Sequence, residues 1–499
     1  MKKGIKSLRE IDLRLQVRRD LFLSRMVEKR TCVIHQLSTG WDEEMSMWRF
    51  LKNGRFSWEV LSNDCLKDIS AKVSGRHVLS IQDGSTISLC GYLNKRQGFG
   101  KMGSRGDHPG IVLHPSVVLD AQNGACLGLA AIQLHDGQQS FTASHDQMQD
   151  RRKVESKEKK TGIWLNCGKA ARERLQTACG VTHIADREAD FFEMLLEFGQ
   201  HKVQNENFII RVNRDRQLGH RAEVGRAPYK GQPDIYVHSA LHDSPIQIKH
   251  RCVMSKLVEK MPVQATIKVN LAQTHKRKKR TAIMEVRFAQ QIPLCRPLKI
   301  TGRIYEGQPI PGSVNVALVE AREITPDLPK GENPVCWRLY TSHPVNSLQD
   351  ALQIIKWYAW RWKIELLFAV VKSSGLDVEH ARIEHAERFK KLAILAIMAA
   401  VQVIQLLQAR DGHTDQLITD VFDEQDILLL KQINSKLQGK TLLLKNPYPP
   451  HSLAFAVWII ARLGSWKGYK SHRPPGIKTI SRGLHVFYQI KKAADFLSG

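Results

Sequence analysis

Three acidic residues lie where a carboxylate can be held for metal-dependent chemistry. Asp83 ends the apolar run HVLSIQD and Asp186 ends the run GVTHIAD, and each run predicts a short strand. Glu365 lies in an apolar segment with helical periodicity over about 347–373. An aspartate after a strand is most often a turn or helix-cap residue, so neither aspartate identifies a site by itself.

The predicted helix around Glu365 carries a narrow polar stripe. At roughly 100° per residue, Tyr358, Arg361, Glu365 and Lys372 project within about 60° of arc. The non-functional alternative is a solvent-exposed row of ion pairs along the helix, which is how most such patterns arise. The other faces are strongly apolar, however, and a helix buried on most of its circumference rarely directs a Glu, an Arg and a Lys at one place without a ligand. The stripe therefore favours a functional site.

The spacing Tyr-x2-Arg-x3-Glu-x6-Lys resembles the insertion-sequence-four family of bacterial DDE transposases. SIQD (80–83) resembles the first acidic motif of that family, and ADREAD (185–190) resembles the second. Further similar segments are the approach to the glutamate helix and the two terminal domains: NPVCWRLYTSHPVNSLQDAL (333–352), WRFLKN (48–53) and SLAFAVWIIARLG (452–464). The resemblance covers nearly the whole chain.

The resemblance implies a ribonuclease-H-like α/β core with a β-rich insertion, flanked by helical N- and C-terminal domains. Asp83, Asp186 and Glu365 would bind two Mg²⁺, with Mn²⁺ able to substitute and Asp83 shared between the ions. Two such ions, ~3.5–4 Å apart, stabilise the attacking and leaving oxygens of phosphodiester transfer. By family analogy, water cuts one DNA strand, the freed 3′-hydroxyl forms a hairpin on the other, and the reopened end attacks target DNA.

The same resemblance assigns DNA contacts to seven side chains. Phosphate contacts or aromatic stacking are expected of Tyr358, Arg361, Lys372, Trp337, Trp362, Arg211 and Arg105. Trp337 would stack on a flipped base and Trp362 would line the same pocket, although core packing is the alternative for both. Two positions depart from the family pattern: Ala369, where close relatives carry an additional Lys, and Gly84, which is unusual after the first Asp.

Three regions are expected along the chain. Residues 1–72 form a helical N-terminal domain that binds transposon ends, and 73–372 form the catalytic domain with an insertion at about 214–336. Residues 373–499 form a helical C-terminal domain that pairs two subunits into a homodimer. The basic tip at 276–280 either contacts the DNA backbone or is merely solvated.

Charge and composition fit a DNA-binding protein without a membrane anchor. Lys and Arg number 75 against 49 Asp and Glu, a net charge of +26 that indicates a polyanionic partner. The apolar run Leu392–Leu407 is interrupted by two Gln and is shorter than the ~18 residues of a membrane span, which predicts a core helix. Scattered cysteines without zinc spacing indicate reduced thiols. We therefore expect a cytoplasmic bacterial protein that associates with double-stranded DNA at terminal inverted repeats and targets.

Two other functions remain open from the sequence. A DNA-binding regulator descended from a transposase would bind without catalysis, but it would have no use for three metal-binding carboxylates. A metal-dependent nuclease or Holliday-type resolvase on the same core would cut without matched ends and would not require the terminal domains. The intact acidic residues and the terminal domains favour the transposase.

Overall fold

The chain folds as a mixed α/β protein built on one large sheet, as the sequence predicts at this level. The computed structural model describes residues 11–89, 96–102, 108–135, 162–201, 203, 205–220, 235–238, 245–249, 252–271, 277–422, 424–469 and 473–498. Helices dominate both ends of these ranges, and strands dominate the middle.

Five helices precede the sheet: α1 (Leu13–Lys29), α2 (Ile34–Leu37), α3 (Trp41–Lys52), α4 (Trp58–Leu66) and α5 (Ile69–Val73). The core strands and the helices between them follow: β1 (His77–Gln82), β2 (Ser85–Ser88), β3 (Gly100–Met102), β4 (His108–Asp120), β5 (Cys126–His135), α6 (Gly162–Arg174), β6 (Gly180–Ala185), α7 (Phe192–Gly199) and β7 (Glu206–Arg211). The strands predicted for the runs that end in Asp83 and Asp186 are therefore observed as β1 and β6, each of which ends one residue before its aspartate.

The predicted insertion contains β8 (Ile235–Val237), β9 (Ile246–Ile248), α8 (Met254–Lys260), β10 (Ala265–Leu271), β11 (Arg280–Cys295), β12 (Ile304–Tyr305), β13 (Gln308–Pro309) and β14 (Ser313–Glu323). The chain then continues through β15 (Cys336–Thr341), α9 (Leu348–Ala359), α10 (Trp362–Ala369), α11 (Ala386–Ala409), α12 (Glu424–Leu437), α13 (Leu453–Leu463) and α14 (Ile477–Ser498).

The sheet has the strand order β10-β11-β14-β15-β7-β6-β1-β4-β2, and β3 and β5 also pair with β4. β1, β6 and β7 run parallel, whereas β4 pairs antiparallel with both β1 and β5. β1 is buried from its second residue onward, as is typical of a parallel strand covered on both faces. The strand ends that carry Asp83 and Asp186 consequently belong to the rigid centre of the molecule.

The β-rich insertion does not form a separate unit. β14 pairs with β15, β11 pairs with β14 and β10 pairs with β11, so these strands extend the central sheet beyond β7 and β15. Apolar side chains of β11 and β14 form a second core together with α7. This core includes the buried residues Phe192 of α7, Ile292 of β11 and Leu318 of β14. A sequence pattern identifies strands but not their partners, so the sequence predicts a β-rich insertion without showing that it continues the central sheet.

The helical ends of the chain meet on one buried helix. α11 contacts α1, α3, α4, α13, α14 and β5, and α1 also contacts α14. Among the described residues, α11 is the one helix long and apolar enough to cross a membrane, but 78% of its most apolar window is buried inside the protein. The predicted core helix at Leu392–Leu407 is thus observed as part of α11.

A buried acidic side chain organises the turn after β7. The carboxylate of Asp190 accepts the backbone N–H groups of Asn213 and Arg214 at 2.8 and 2.9 Å. The Arg216 guanidinium donates to the same carboxylate at 2.6 Å, and both side chains are almost completely buried. Removal of one partner would leave the other buried without compensation. This pair therefore holds the backbone that follows Arg211.

We predict that Asp190→Asn lowers the free energy of unfolding by about 3 kcal/mol, because Arg216 keeps its charge and loses its counter-ion. Arg214→Gln, which changes an exposed cation in the same turn, should stay within about 0.5 kcal/mol of wild type. Urea denaturation of the three proteins measures both effects. Equal stabilities would show that the pair contributes no such stabilisation.

Candidate active site

The two predicted aspartates leave the sheet at the same level of adjacent parallel strands. Ile81 of β1 is paired with Ile184 of β6, and the same register places Asp83 beside Asp186. Ala185 is paired with Ile210 of β7, and that register places Asp186 beside Arg211. Neighbouring residues at equal register point to the same face of a sheet. The topology therefore forms a row of two carboxylates and one guanidinium.

Asp83 lies at a break between two strands. β1 and β2 both pair with β4 in one continuous register, in which Gln82 is opposite Ser116 and Ser85 is opposite Leu113. The two residues between them, Asp83 and Gly84, are unpaired, and the continued register puts Asp83 opposite Pro115, which has no N–H to donate. Because Pro115 offers no N–H, the backbone can turn at Asp83 without losing a hydrogen bond from that residue. The Asp83 carboxylate can then contact other groups.

The three carboxylates converge on one cation. The Arg361 guanidinium donates from Nη1 to Asp83 Oδ2 at 2.9 Å and from Nη2 to Glu365 Oε1 at 2.6 Å. Arg361 Nη2 also lies 3.9 Å from Asp186 Oδ2. The Arg361 side chain is only 10% exposed, whereas the three carboxylate side chains are 24–34% exposed. The structure therefore brings the predicted acidic residues together around a partly open cleft.

Two further groups contact Asp186. The Tyr358 hydroxyl donates to Asp186 Oδ1 at 3.2 Å, and Arg211 Nη1 lies 3.7 Å from the same oxygen. Burial, together with the negative charge of Asp186, raises the pKa of Tyr358 to about 12. The phenol consequently keeps its proton and acts as a donor at neutral pH.

Burial makes the charge on Asp83 costly. Its pKa is raised from 3.8 to about 6 because the carboxyl is shielded from water, although Arg361 and the Gly84 N–H lower it in part. Burial by itself lowers the pKa of Arg361, but Tyr358 and the three carboxylates raise it above its ordinary value. The cluster thus holds excess negative charge that attracts a cation.

The predicted single helix at about 347–373 is wrong as a continuous α-helix. α9 begins with a capping box between Ser347 and Asp350, ends at Ala359, and is separated from α10 by a turn at Trp360 and Arg361. The chain then forms a π-helical turn at Val370–Ser374. Such turns occur often at functional sites. Because of these interruptions, Lys372 does not continue the polar stripe that was predicted at 100° per residue for Tyr358, Arg361 and Glu365.

The remaining sequence-predicted residues occupy different surroundings. Lys372 donates to the carbonyl oxygen of Thr86 and lies 3.7 Å from Glu379, so its partners belong to the edge beside β2. The Trp337 ring meets Tyr358 edge-on with 5.8 Å between ring centroids, and Trp337 and Trp362 are both half-buried. Arg105 lies outside the described residues. Trp337 is thus in direct contact with Tyr358, whose hydroxyl donates to Asp186.

The sequence does not reveal the role of His114 in this site. A Cβ added at Gly84 would lie 3.1 Å from His114 Nδ1, so the unusual glycine after Asp83 fits against this ring. Burial lowers the pKa of His114 to about 3, and the neutral imidazole lies 3.2 Å from the Gln82 side-chain oxygen. No sequence signal marks His114, because its position depends on the pairing of β4 with β1 and β2.

The donor set suits a hard divalent cation. Three carboxylates supply only oxygen atoms, which Mg²⁺ prefers, and part of each side chain reaches solvent. Within the described ranges, no group of three His, Cys, Asp or Glu side chains already has the arrangement of a metal site, and at this cleft Arg361 lies among the carboxylates. The three carboxylates therefore fit a metal by their donor chemistry and charge, and the Arg361 guanidinium lies between them.

No protein-family model matches this chain. The resemblance to the insertion-sequence-four family accordingly stays a prediction that depends on the motifs. The convergence of Asp83, Asp186 and Glu365, which are far apart in sequence, is an observation that is independent of the motifs.

We predict that Asp83→Asn makes the metal-free protein more stable at neutral pH. The pKa of Asp83 is higher in the folded than in the unfolded chain, so its contribution to stability is complete below about pH 4 and is lost as the pH rises through about 6. The difference between about 6 and 3.8 corresponds to about 3 kcal/mol, an order of magnitude for the gain of the variant between pH 4 and 7.5.

Urea denaturation in EDTA over pH 4–7.5 measures this gain. Glu188→Gln removes an exposed carboxylate beside Asp186 and should follow the wild-type pH dependence. Parallel curves for wild type and Asp83→Asn would contradict the assigned cost of burial.

Proposed function

We propose that this protein is a DDE transposase that cuts and joins DNA by metal-dependent phosphodiester transfer. The observation that carries the proposal is the convergence of Asp83, Asp186 and Glu365 on the single guanidinium of Arg361. Three carboxylates held together at the edge of a sheet have no structural necessity, because burying charge destabilises the fold. A metal-assisted reaction explains why they are kept.

The strand order supports a ribonuclease-H-like core as part of this proposal. In the segment β5-β4-β1-β6-β7, the first three strands are antiparallel and the last three are parallel. Asp83 follows the central strand, Asp186 follows its parallel neighbour, and Glu365 comes from a helix packed beside them. Each acidic residue is therefore presented from a different rigid element.

Asp83, Asp186 and Glu365 would hold two Mg²⁺, and Asp83 would be the ligand common to both. When bound, such ions stabilise the attacking and leaving oxygens of the phosphodiester. The protein itself supplies orientation: the Tyr358 hydroxyl donates to Asp186, and the Gly84 N–H donates to Asp83. The cleft thereby keeps its acidic groups in place while DNA binds.

DNA phosphates are the natural partners of the cations around this cleft. Arg211, Arg361 and Lys372 would contact the backbone near the scissile bond, and the net charge of +26 favours DNA binding over the whole surface. Trp337, half-buried against Tyr358, offers an aromatic face for an unstacked base. Residues 1–72 would bind the element's ends, and the C-terminal helices would pair two subunits.

Glu365→Gln should abolish cleavage of a linear DNA that carries the gene's own flanking sequence. We expect at least about a 1,000-fold loss, because several kcal/mol of charge stabilisation disappear with the carboxylate. Magnesium-dependent nicks and hairpins are measured on a denaturing gel, and Glu188→Gln serves as the matched control that should retain activity.

The same experiment separates the competing functions. Binding to the flanks without cutting, by wild type and variant alike, would identify a regulator and contradict the proposal. Cutting that is independent of the flanking sequence would identify a nuclease on the same core. Cuts confined to the flanks and absent from Glu365→Gln support the transposase.

Trp337→Ala should impair hairpin formation more than the first nick. Base stacking on an aromatic ring is worth about 1–3 kcal/mol, which corresponds to roughly a 5- to 150-fold slower hairpin step. Trp337→Phe keeps an aromatic face and should retain most of the rate. The two steps are resolved by time courses on denaturing gels, and equal slowing of both by Trp337→Ala would place the tryptophan outside the base-stacking role.

A further inference from the structure

Arg361 occupies the centre of the acidic cluster rather than its rim. Its two Nη atoms reach three carboxylates from three elements, at 2.9 Å to Asp83, 2.6 Å to Glu365 and 3.9 Å to Asp186. Asp83 and Glu365 accept hydrogen bonds from the planar fork of the guanidinium, and Asp186, at 3.9 Å, interacts with it through charge. The oxygens that would bind a metal are consequently turned toward a cation that the chain itself provides.

The side chain of Arg361, and not its backbone, is the part that can change position. Arg361 lies in the turn between α9 and α10 with right-handed helical backbone angles, and its N–H donates to the Tyr358 carbonyl oxygen at 3.0 Å while its own carbonyl oxygen accepts from the Ile364 N–H at 3.1 Å. Tyr358, at the end of α9, donates to Asp186. A side chain in this turn can rotate toward the cleft opening without unfolding a helix.

We propose that Arg361 is the built-in cation of the DNA-free site, and that it must leave the three carboxylates before they can bind a divalent metal. This inference rests on the proposed function, since it concerns the same metal site. A DNA phosphate provides the replacement partner, because a guanidinium binds phosphate through two parallel charge-assisted hydrogen bonds. Departure of Arg361 leaves three carboxylates without their central counter-ion, which strengthens their attraction for metal.

The arrangement couples metal binding to DNA binding. If DNA raises the affinity for metal by withdrawing Arg361, metal must raise the affinity for DNA by the same factor. The DNA-free enzyme then binds metal weakly, and its metal site is completed only when DNA is bound. Arg361 acts in this scheme as a positioning residue with two alternative anionic partners.

Arg211 provides a matched control for charge alone. It also lies beside Asp186, at 3.7 Å, but its Nη2 donates to the carbonyl oxygen of Cys336 at 3.2 Å. Arg211→Gln and Arg361→Gln each remove one positive charge from the same cleft. A difference between them therefore reports occupation of the metal position and not the general electrostatic field.

The test measures Mn²⁺ binding to the full chain without DNA, through the electron paramagnetic resonance signal of free Mn²⁺. We expect Arg361→Gln to bind Mn²⁺ at least about tenfold more tightly than wild type, and Arg211→Gln to differ from wild type by less than about threefold. Unchanged or weaker binding by Arg361→Gln would overturn the inference. Equal tightening by both variants would do the same.

Glu365→Gln in the wild-type and Arg361→Gln backgrounds separates this inference from the proposed function. Loss of the gained affinity in the double variant supports both. If Glu365→Gln weakens Mn²⁺ binding in both backgrounds while Arg361→Gln has wild-type affinity, the metal site survives and the role of Arg361 fails. If Glu365→Gln has no effect in either background, the metal is not at these carboxylates and both proposals fail.

A thermal measurement covers the case in which Arg361→Gln is poorly folded without metal. A ligand that binds only the folded state stabilises it by RT ln(1 + [L]/Kd), so at one Mn²⁺ concentration the variant with the tighter site has the larger rise in Tm. Mn²⁺ should therefore raise the Tm of Arg361→Gln more than that of wild type or Arg211→Gln. An equal rise in all three proteins would contradict the inference.

Discussion

Three carboxylates that repel one another lie within reach of one guanidinium. This electrostatic constraint is the one on which the rest of the structure depends. Asp83, Asp186 and Glu365 would separate in water if flexible segments carried them, because like charges at close range repel. They stay together because each extends from a rigid element and because Arg361 lies between them. Burial raises the pKa of Asp83, and the negative charges of Asp186 and Glu365 add to this effect, whereas Arg361 opposes it. The charge on Asp83 therefore destabilises the folded protein at neutral pH.

The sheet explains how such a cluster can exist. β1 and β6 lie in its centre, so neither Asp83 nor Asp186 can retreat without breaking buried strands. Extension of the sheet through β15 and the insertion places Arg211 and Trp337 on the same side of the cluster. The helical ends of the chain cover the opposite edge through α11. The site is consequently a property of the whole sheet and not of one loop.

The turn between α9 and α10 carries the cation of the cluster. Tyr358 precedes it and donates to Asp186, and Glu365 follows it and accepts from Arg361. Hydrogen bonds to Tyr358 and from Ile364 hold the Arg361 backbone in the turn, so its side chain is the part that can change partners. In the proposed transposase, the fixed carboxylates bind metal and the movable guanidinium of Arg361 responds to DNA.

The sequence by itself determined the local elements and the chemical types at their ends. Hydrophobic runs marked β1 and β6, and the polar stripe marked Tyr358, Arg361 and Glu365, because these signals come from residues close in the chain. Tertiary structure alone decided which strands pair, that the insertion extends the central sheet, that His114 lies against Gly84, and that Arg361 lies among the carboxylates. These contacts join residues far apart in sequence, such as Asp83 and Arg361. No periodicity within one segment can encode them, since they arise from the packing of separate elements into one core.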